Sequence, residues 1–266
     1  MSSCAIVIPI YKPGLDEMEQ FSLDYSLARL TAGRTCYFIA PASLDVSFYM
    51  TRYPGVGLVR FADEYFASIQ GYNRLLLHPG FYQHFMDHEF MLILQTDAVL
   101  LRDELDDWCA KPYDYVGAPW PDGLEIMVNV DAFSGDKRKR VKTHVGNGGL
   151  SLRRNAACVR LLNEFPQATQ MFVQTGSSED IFFAIMGSQS NDFLMPNERV
   201  ASHFALELRP EYYYAVNDNL APMGGHAWWR YNQAFWETLL EEAPPRAVGR
   251  YAVRQPAMPA IEAAHI

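Results

Sequence analysis

A single carboxylate interrupts an aliphatic stretch in the first half of the chain. Residues 90–101 are apolar except for Gln95, Thr96 and Asp97. An apolar run of this length is typical of a buried central strand, and an aspartate there is rarely left without a partner. Because ligands of open α/β sheets bind at the carboxyl ends of strands, Asp97 is a candidate for binding a metal or substrate. The alternative is that Asp97 caps the next turn.

Two later motifs combine backbone freedom with carboxylates. The stretch 146–149, Gly-Asn-Gly-Gly, predicts a loop before a strand, where the backbone can approach a ligand closely. Glu179 and Asp180 begin a predicted helix, so a general base aimed at the glycine loop is one interpretation. The other is structural, because Ser177 with Asp180 resembles a capping box and acidic residues favour helix N-termini.

Imidazole, guanidinium and indole groups supply further candidates. His226 follows two glycines and precedes Trp228, and we expect it to be exposed at a helix start, where it could bind a ligand. Asn73 and Arg74 could hold a nucleotide base or ribose and a phosphate, or simply face solvent on an amphipathic helix. Trp120 is either a platform for the apolar face of a sugar or a buried core residue.

Composition and missing motifs exclude several classes. The 266 residues are 49% hydrophobic, which is ample for a core, and the net charge of −9 argues against general binding to nucleic acid or anionic membranes. No P-loop, dinucleotide fingerprint or nucleophile elbow is present. The four cysteines are widely spaced and predict reduced, mostly buried thiols. With no secretory signal or membrane span in the sequence, we expect a cytoplasmic protein.

The order of predicted elements favours a parallel sheet. Strands over 4–10, 35–39 and 56–61 alternate with helices over 16–31 and 43–50. Further along, the pattern predicts a helix over 65–77, strand 90–101, helix 103–110, a hairpin of 126–130 and 141–145 around 134–136, helices over 155–165 and from 177, strand 204–207, and a last helix to 240. We expect one domain over residues 1–243 and a loosely held tail over 244–266.

Together the motifs resemble a known family. In chain order they are 7–13 (VIPIYKP), 72–75 (YNRL), 94–98 (LQTDA), 117–120 (GAPW), 146–149 (GNGG), 179–180 (ED) and 225–226 (GH). This ordered set, over about residues 4–240, resembles a family of glycosyltransferases with the GT-A fold. Its order of sites is similar to that of metal-dependent inverting galactosyltransferases.

The resemblance implies a fold and a role for each motif. The fold would be α/β of GT-A type, a mainly parallel central sheet flanked by helices with a small antiparallel hairpin. Asp97 would be the remnant of an Asp-x-Asp metal motif, which normally has two carboxylates, and His226 would be a second ligand of Mn²⁺ or Mg²⁺. Asp180 would be the base, with Glu179 next in line. Donor contacts would come from Pro9, Tyr11, Asn73, Arg74, Gln95 and Asp97, and substrate contacts from Trp120, Asn147, Gly148, Gly149 and Trp228.

The implied activity is sugar transfer from a nucleotide-sugar donor, such as a UDP-sugar, to a glycan or other hydroxyl acceptor. One base and one cation suffice for inversion, whereas a retaining reaction would make Asp180 an acceptor-orienting residue. Two alternatives stay open at this point. One is a nucleotidyltransferase that makes a sugar nucleotide, and the other is a sugar-binding module without catalysis.

Overall fold

The structure, a computed structural model, describes residues 3–129 and 138–242. Its first half alternates strands and helices as the sequence predicts. The elements are β1 (Cys4–Pro9), α1 (Glu17–Arg29), β2 (Thr35–Pro41), α2 (Ser47–Arg52), β3 (Gly57–Phe61), a short 3₁₀ helix (Asp63–Tyr65), α3 (Ile69–Leu76), α4 (Pro79–Gln83) and β4 (Phe90–Leu94).

The second half has shorter strands and more helices. Its elements are β5 (Ala98–Leu100), α5 (Leu105–Cys109), β6 (Tyr115–Asn129), β7 (Arg138–Arg154), α6 (Asn155–Glu164), α7 (Pro166–Thr175), α8 (Glu179–Gly187), α9 (Glu198–Phe204), β8 (Ala205–Leu206), α10 (Pro210–Val216), β9 (Gly224–His226) and α11 (Gln233–Glu237). Helices α7, α9 and α10 are absent from the sequence prediction. Of these, α7 and α10 begin at a proline, whose fixed φ suits a first helical position.

A six-stranded sheet forms the centre, in the order β3-β2-β1-β4-β7-β6. The first four strands are parallel, and β7 and β6 continue the sheet antiparallel. Along β4, Leu92 and Leu94 pack into a core on one face, while Met91 and Ile93 pack into a second core on the other. Because both faces are covered, β4 is apolar at every position. This mixed α/β architecture with a mainly parallel sheet confirms the predicted fold class.

The stretch 90–101 is not one strand. It divides into β4 and β5, which belong to different sheets, and the turn between them contains Gln95, Thr96 and Asp97. The polar triplet therefore marks the point where the chain leaves the central sheet for a small second sheet of order β5-β9-β8. Asp97 lies at the carboxyl end of β4, as the sequence predicts.

The glycine stretch 146–149 is part of a strand, not a loop before one. Gly117 of β6 pairs with Ser151, but the next residue, Ala118, pairs with Asn147. Residues 148–150 of β7 therefore form a bulge, and bulges bend a strand and redirect its side chains. The predicted short hairpin is the far end of the long β6–β7 pair, and its tip at 134–136 lies outside the described residues.

Several smaller predictions can be compared directly. All four cysteines are free, and Cys36 is half-buried whereas the others are buried. The N-cap of α8 is Ser178, which makes no side-chain capping bond, so the capping box suggested by Ser177 is wrong. No helix in the described ranges has the length and apolar character to cross a membrane. The tail 244–266 lies outside those ranges.

Candidate active site

The second sheet brings His226 to Asp97. The antiparallel pairing of β5 with β9 places Ala98 opposite His226, so the preceding residue Asp97 lies beside the imidazole. His226 Nε2 is 3.1 Å from Asp97 Oδ1 and 3.1 Å from Gln95 Oε1. The side chains of His226 and Asp97 are each 13% exposed. His226 therefore ends a strand in a partly buried position, and the expectation of an exposed histidine at a helix start is wrong.

Two charged residues that sequence reasoning missed complete this cluster. Glu207 follows β8, and its Oε2 atom lies 3.3 Å from His226 Nδ1. A terminal nitrogen of Arg230 lies 3.4 Å from Asp97 Oδ2, and the Arg230 side chain is 43% exposed. We call Gln95, Asp97, Glu207, His226 and Arg230 the Asp97 cluster.

The charges of the cluster oppose the effect of burial. Burial lowers the pKa of His226, but the Asp97 and Glu207 carboxylates outweigh it and raise this pKa to about 10. Burial raises the pKa of Asp97, but His226 and then Arg230 outweigh it, so this pKa lies below its usual value. Without a bound cation, the imidazole is therefore positively charged and bridges two carboxylates.

The donor atoms of the cluster suit a divalent cation only in part. No group of three His, Cys, Asp or Glu side chains in the described ranges is arranged to hold a metal ion. Asp97 Oδ1, Gln95 Oε1 and His226 Nε2 nevertheless form a cluster of oxygen and nitrogen donors with contacts of 3.1 Å. Neighbouring ligands of an octahedral ion with bonds of roughly 2.1 Å lie about 3 Å apart. The donor set therefore fits Mn²⁺ or Mg²⁺ only if His226 Nε2 gives up its proton and a ligand supplies the remaining oxygens.

Two consecutive glycines of the β7 bulge lie against candidate residues: Gly149 against His226, and Gly148 against Glu179. A side chain at Gly149 would overlap the imidazole of His226, and one at Gly148 would meet Glu179 Oε1 and approach Asp180. The absence of a Cβ at both positions therefore permits these side chains to lie against the backbone of β7, whereas the sequence predicts a close approach to a ligand. Asn147 supports the bulge, since its Oδ1 accepts the Gly149 N–H at 3.1 Å.

Glu179 is bound to a buried arginine. The two terminal nitrogens of Arg153 donate to the two Glu179 carboxylate oxygens at 2.9 and 3.1 Å, and Arg153 is fully buried. Arg153 also donates to the Tyr82 and Ser151 hydroxyls. Since both Glu179 oxygens are engaged by an internal charge, this geometry is that of a structural ion pair and not of a free base.

Asp180 is in a different situation. It is half-buried at the start of α8, and its Oδ1 accepts the Ile181 N–H at 2.7 Å. Burial, and secondarily the negative charge of Glu179, raises the pKa of Asp180 to about 7. A carboxylate with a pKa near neutrality can accept a proton efficiently and release it again. Of the two predicted bases, Asp180 has the electrostatics for the role.

The predicted donor contacts differ in their position and burial. Pro9 ends β1, whose parallel pairing with β4 places its carboxyl end near Gln95. Burial, and then the carboxylates of Glu19 and Asp97, raise the pKa of Tyr11, while Lys12 and Arg230 lower it. On α3, Asn73 is buried and Arg74 is half-buried.

The two predicted tryptophan contacts differ. Trp120 is half-buried, and its ring edge lies against Gly146. Trp228 is fully buried, packs in a core cluster with Trp229 and Trp236, and donates its indole N–H to Ser22 at 2.8 Å. An indole with no exposed face cannot stack on a sugar. Trp228 is therefore a core residue, and the predicted substrate contact at this position is wrong.

The missed residues had weak sequence signals. Glu207 follows a two-residue strand, Arg230 follows two tryptophans, and Arg153 lies four residues after the glycine motif 146–149. Their partners lie far away along the chain, so only the folded topology reveals the contacts.

Comparison with known proteins places the chain in a family. Residues 55–226 match the family model described as protein of unknown function (DUF5672), and the chain belongs to this family. The matched range includes α3, the Asp97 turn, the glycine bulge, Asp180 and His226. No curated protein matches the sequence.

Solved structures support the fold. An active-site mutant of LgtC is similar with a TM-score of 0.55 and 14% identity, over 90% of this chain and 97% of that one. Mouse xyloside xylosyltransferase 1 in its apo form has a TM-score of 0.51 and 11% identity, over 84% and 97% of the two chains. The glycosyltransferase GlyE of Streptococcus pneumoniae TIGR4 has a TM-score of 0.48 and 13% identity over 91% of this chain, which spans 61% of the GlyE chain. At these identities the first two comparisons show the GT-A fold alone.

Proposed function

We propose that this protein is a glycosyltransferase that moves a sugar from a nucleotide-sugar donor to a hydroxyl group of a glycan or other acceptor. The observation that supports this most is the meeting of Gln95, Asp97 and His226 at the carboxyl end of β4. Ligands of open α/β sheets bind at such strand ends. The similarity to a xylosyltransferase structure is consistent with this class of chemistry.

Donor binding would use the Asp97 cluster. Asp97, His226 and Gln95 would hold Mn²⁺ or Mg²⁺ together with oxygens of the donor diphosphate. When bound, the cation would neutralise the charge that develops on the departing nucleoside diphosphate. Arg230 lies beside Asp97 and is partly exposed, so its guanidinium can donate to a phosphate oxygen. Tyr11, Asn73 and Arg74 remain candidate contacts to the donor nucleotide, for which UDP is the first choice.

Sugar transfer would use Asp180 as the base. In an inverting reaction, the Asp180 carboxylate takes the proton from the acceptor hydroxyl as that oxygen attacks the anomeric carbon. The bond between this carbon and the diphosphate oxygen breaks, and the electron pair leaves with the nucleoside diphosphate. Trp120 and Asn147 are candidate sugar contacts.

A screen of nucleotide sugars tests the proposal. The protein is incubated with each donor and Mn²⁺, with and without a panel of simple glycosides, and free nucleoside diphosphate is quantified by chromatography. We expect at least one donor to be consumed, with EDTA abolishing the reaction. The anomeric configuration of the product, measured by NMR, decides between inversion and retention.

The same screen separates the alternatives. Formation of a nucleotide sugar from a sugar phosphate and a nucleoside triphosphate would instead indicate a nucleotidyltransferase. Sugar binding without consumption of any donor would indicate a non-catalytic module.

A further inference from the structure

The position of Glu207 is set by the second sheet. Glu207 follows β8 directly, and the parallel pairing of Leu206 with Gly225 brings its side chain beside His226, the next residue of β9. Its Oε2 atom lies 3.3 Å from His226 Nδ1. The other ring nitrogen, Nε2, contacts Gln95 and Asp97. Glu207 and the predicted cation ligands therefore engage opposite nitrogens of one imidazole.

Burial makes this contact important for both partners. Glu207 is 7% exposed, and in the described ranges neither its Oε2 atom nor His226 Nδ1 makes a well-aligned hydrogen bond, either to the other or to a third group. A buried N–H or carboxylate oxygen without a partner is unfavourable, so each of these atoms is the natural partner of the other. At 3.3 Å the two atoms are already within hydrogen-bond distance of each other.

We propose that Glu207 is a positioning residue for His226. Its carboxylate accepts the Nδ1–H of the imidazole and thereby directs Nε2 toward Gln95 and Asp97, where the cation and the donor diphosphate bind. A histidine that binds a metal through one nitrogen commonly donates its other N–H to a carboxylate, which fixes the tautomer and the ring orientation. The inference rests on the proposed function, because it assigns Glu207 a task in that site.

The residues around His226 other than Glu207 cannot orient its ring when Nε2 binds a metal. Gly149 makes room for the imidazole but has no side chain that could orient the ring. When Nε2 is a metal ligand, it cannot also donate a hydrogen bond to Asp97 or Gln95. The Nδ1 contact with Glu207 is then the ring's remaining polar restraint in the described structure.

Two variants and one control test the inference. Glu207→Ala removes the acceptor, while Glu207→Gln retains a neutral acceptor of the same size. Glu198→Ala is the matched control, because Glu198 Oε2 lies 3.0 Å from His144 Nδ1 in a second carboxylate–imidazole pair outside the Asp97 cluster. Binding of Mn²⁺ in the presence of UDP is measured by electron paramagnetic resonance. The histidine ring nitrogens of the metal-free protein are observed by ¹⁵N NMR, with His226→Gln to assign the signals.

The expected results differ among the variants. Glu207→Ala should weaken Mn²⁺ binding by roughly 10–100-fold, the usual effect of removing a carboxylate that supports a metal-binding histidine. Glu207→Gln should weaken Mn²⁺ binding by less, and Glu198→Ala should bind Mn²⁺ as the wild type does. The Nδ1 signal of His226 should shift in Glu207→Ala and not in Glu198→Ala.

Other outcomes overturn the inference. Unchanged Mn²⁺ affinity in folded Glu207→Ala removes the link between Glu207 and the cation, and an unchanged Nδ1 signal shows that Glu207 does not hold the ring. If Glu207→Ala does not fold, the same two readings are taken from Glu207→Gln. If the wild type binds no Mn²⁺ with UDP, the cation part of the proposed function fails as well, whereas the NMR signal still decides separately whether Glu207 orients His226.

Discussion

His226 Nε2 lies 3.1 Å from Asp97 Oδ1, across the junction between the central sheet and the small second sheet. The contact exists because the chain turns at 95–97 into β5, and β5 pairs with β9, the strand that His226 ends. A single aspartate in the motif is thus supplemented by an imidazole and by Gln95 from the same turn. Tests of the proposed donor site therefore begin with these side chains.

Replacement of Asp97 should remove cation-dependent nucleotide binding. Asp97→Asn keeps the shape of the side chain but removes the charge that faces His226 and Arg230. We expect the affinity for UDP in the presence of Mn²⁺ to fall by at least about tenfold, as measured by calorimetry.

The matched control for this experiment is Asp103→Asn. Asp103 pairs with Arg34 at 2.8 Å, and its side chain is 3% exposed, but the pair lies outside the Asp97 cluster. Its loss should lower stability while leaving UDP affinity unchanged. Wild-type affinity in folded Asp97→Asn would contradict the assignment of Asp97.

A methyl group at Gly149 should disturb the imidazole. The new Cβ would overlap the His226 ring, so Gly149→Ala should displace the ring from Asp97 and weaken binding of UDP with Mn²⁺. Gly14→Ala is the control, because a Cβ at Gly14 meets nothing within 4 Å and its φ is not positive. Equal binding by both variants would show that the close approach of Gly149 has no role in the site.

The two carboxylates at the start of α8 should have separate effects. Asp180→Asn should reduce the rate of sugar transfer by roughly 10²–10⁴, the usual contribution of a positioned general base, with donor affinity little changed. The measurement is transfer under saturating donor and acceptor. A variant that transfers sugar at nearly the wild-type rate would exclude Asp180 as the base.

Glu179→Gln should instead be a stability variant. It leaves the fully buried Arg153 without its counter-charge, and breaking a buried ion pair costs roughly 3–5 kcal/mol. The comparison variant is Glu89→Gln, whose partly exposed pair with Arg154 should contribute at most about 1 kcal/mol. The free energy of unfolding is measured in urea. Equal losses in the two variants would contradict the structural role of the Arg153 pair.

The pH dependence follows from the raised pKa of Asp180, about 7. Glu179, Arg153 and Glu207 are the charged groups that act on it, and Glu179 is the strongest of them. Below pH 7 the base is increasingly protonated, so transfer should slow by about tenfold per pH unit. A rate independent of pH between 5.5 and 8 would contradict this role.

Stability should change with pH in the opposite sense. A raised pKa means that the folded protein binds the Asp180 proton more tightly than the unfolded chain does. The stabilising contribution is therefore full below about pH 4 and is lost as the pH rises through about 7. We expect Asp180→Asn to melt progressively higher than the wild type as the pH increases from 5 to 8.

The sequence predicts the fold well where a pattern is local. The strand and helix order of the first half depends on apolar periodicity and on turns such as 11–14, and the structure reproduces it. The division of 90–101 between two sheets could not be predicted, because both pieces are apolar and only three polar residues separate them. The bulge in β7 could not be predicted for a related reason, since a run of glycines is equally typical of a loop.

The candidate site was predictable only in part. Asp97, His226, Gly148, Gly149 and Asp180 stand out because each is an unusual residue for its surroundings in the sequence. Glu207 and Arg230 do not, since their partners are fixed by strand pairing over long separations. Trp228 was predicted as a site residue and is a core residue, because an aromatic side chain beside a ligand motif is equally suited to a core.

The most direct test of the central claim is calorimetric titration of the wild-type protein with UDP, with Mn²⁺ and again with EDTA. We predict saturable binding of one UDP per chain with Mn²⁺ and an affinity at least about tenfold lower without it, because Asp97 and His226 need the cation to hold a diphosphate. Equal affinity under both conditions, or no binding under either, would contradict the proposed cation-dependent donor site.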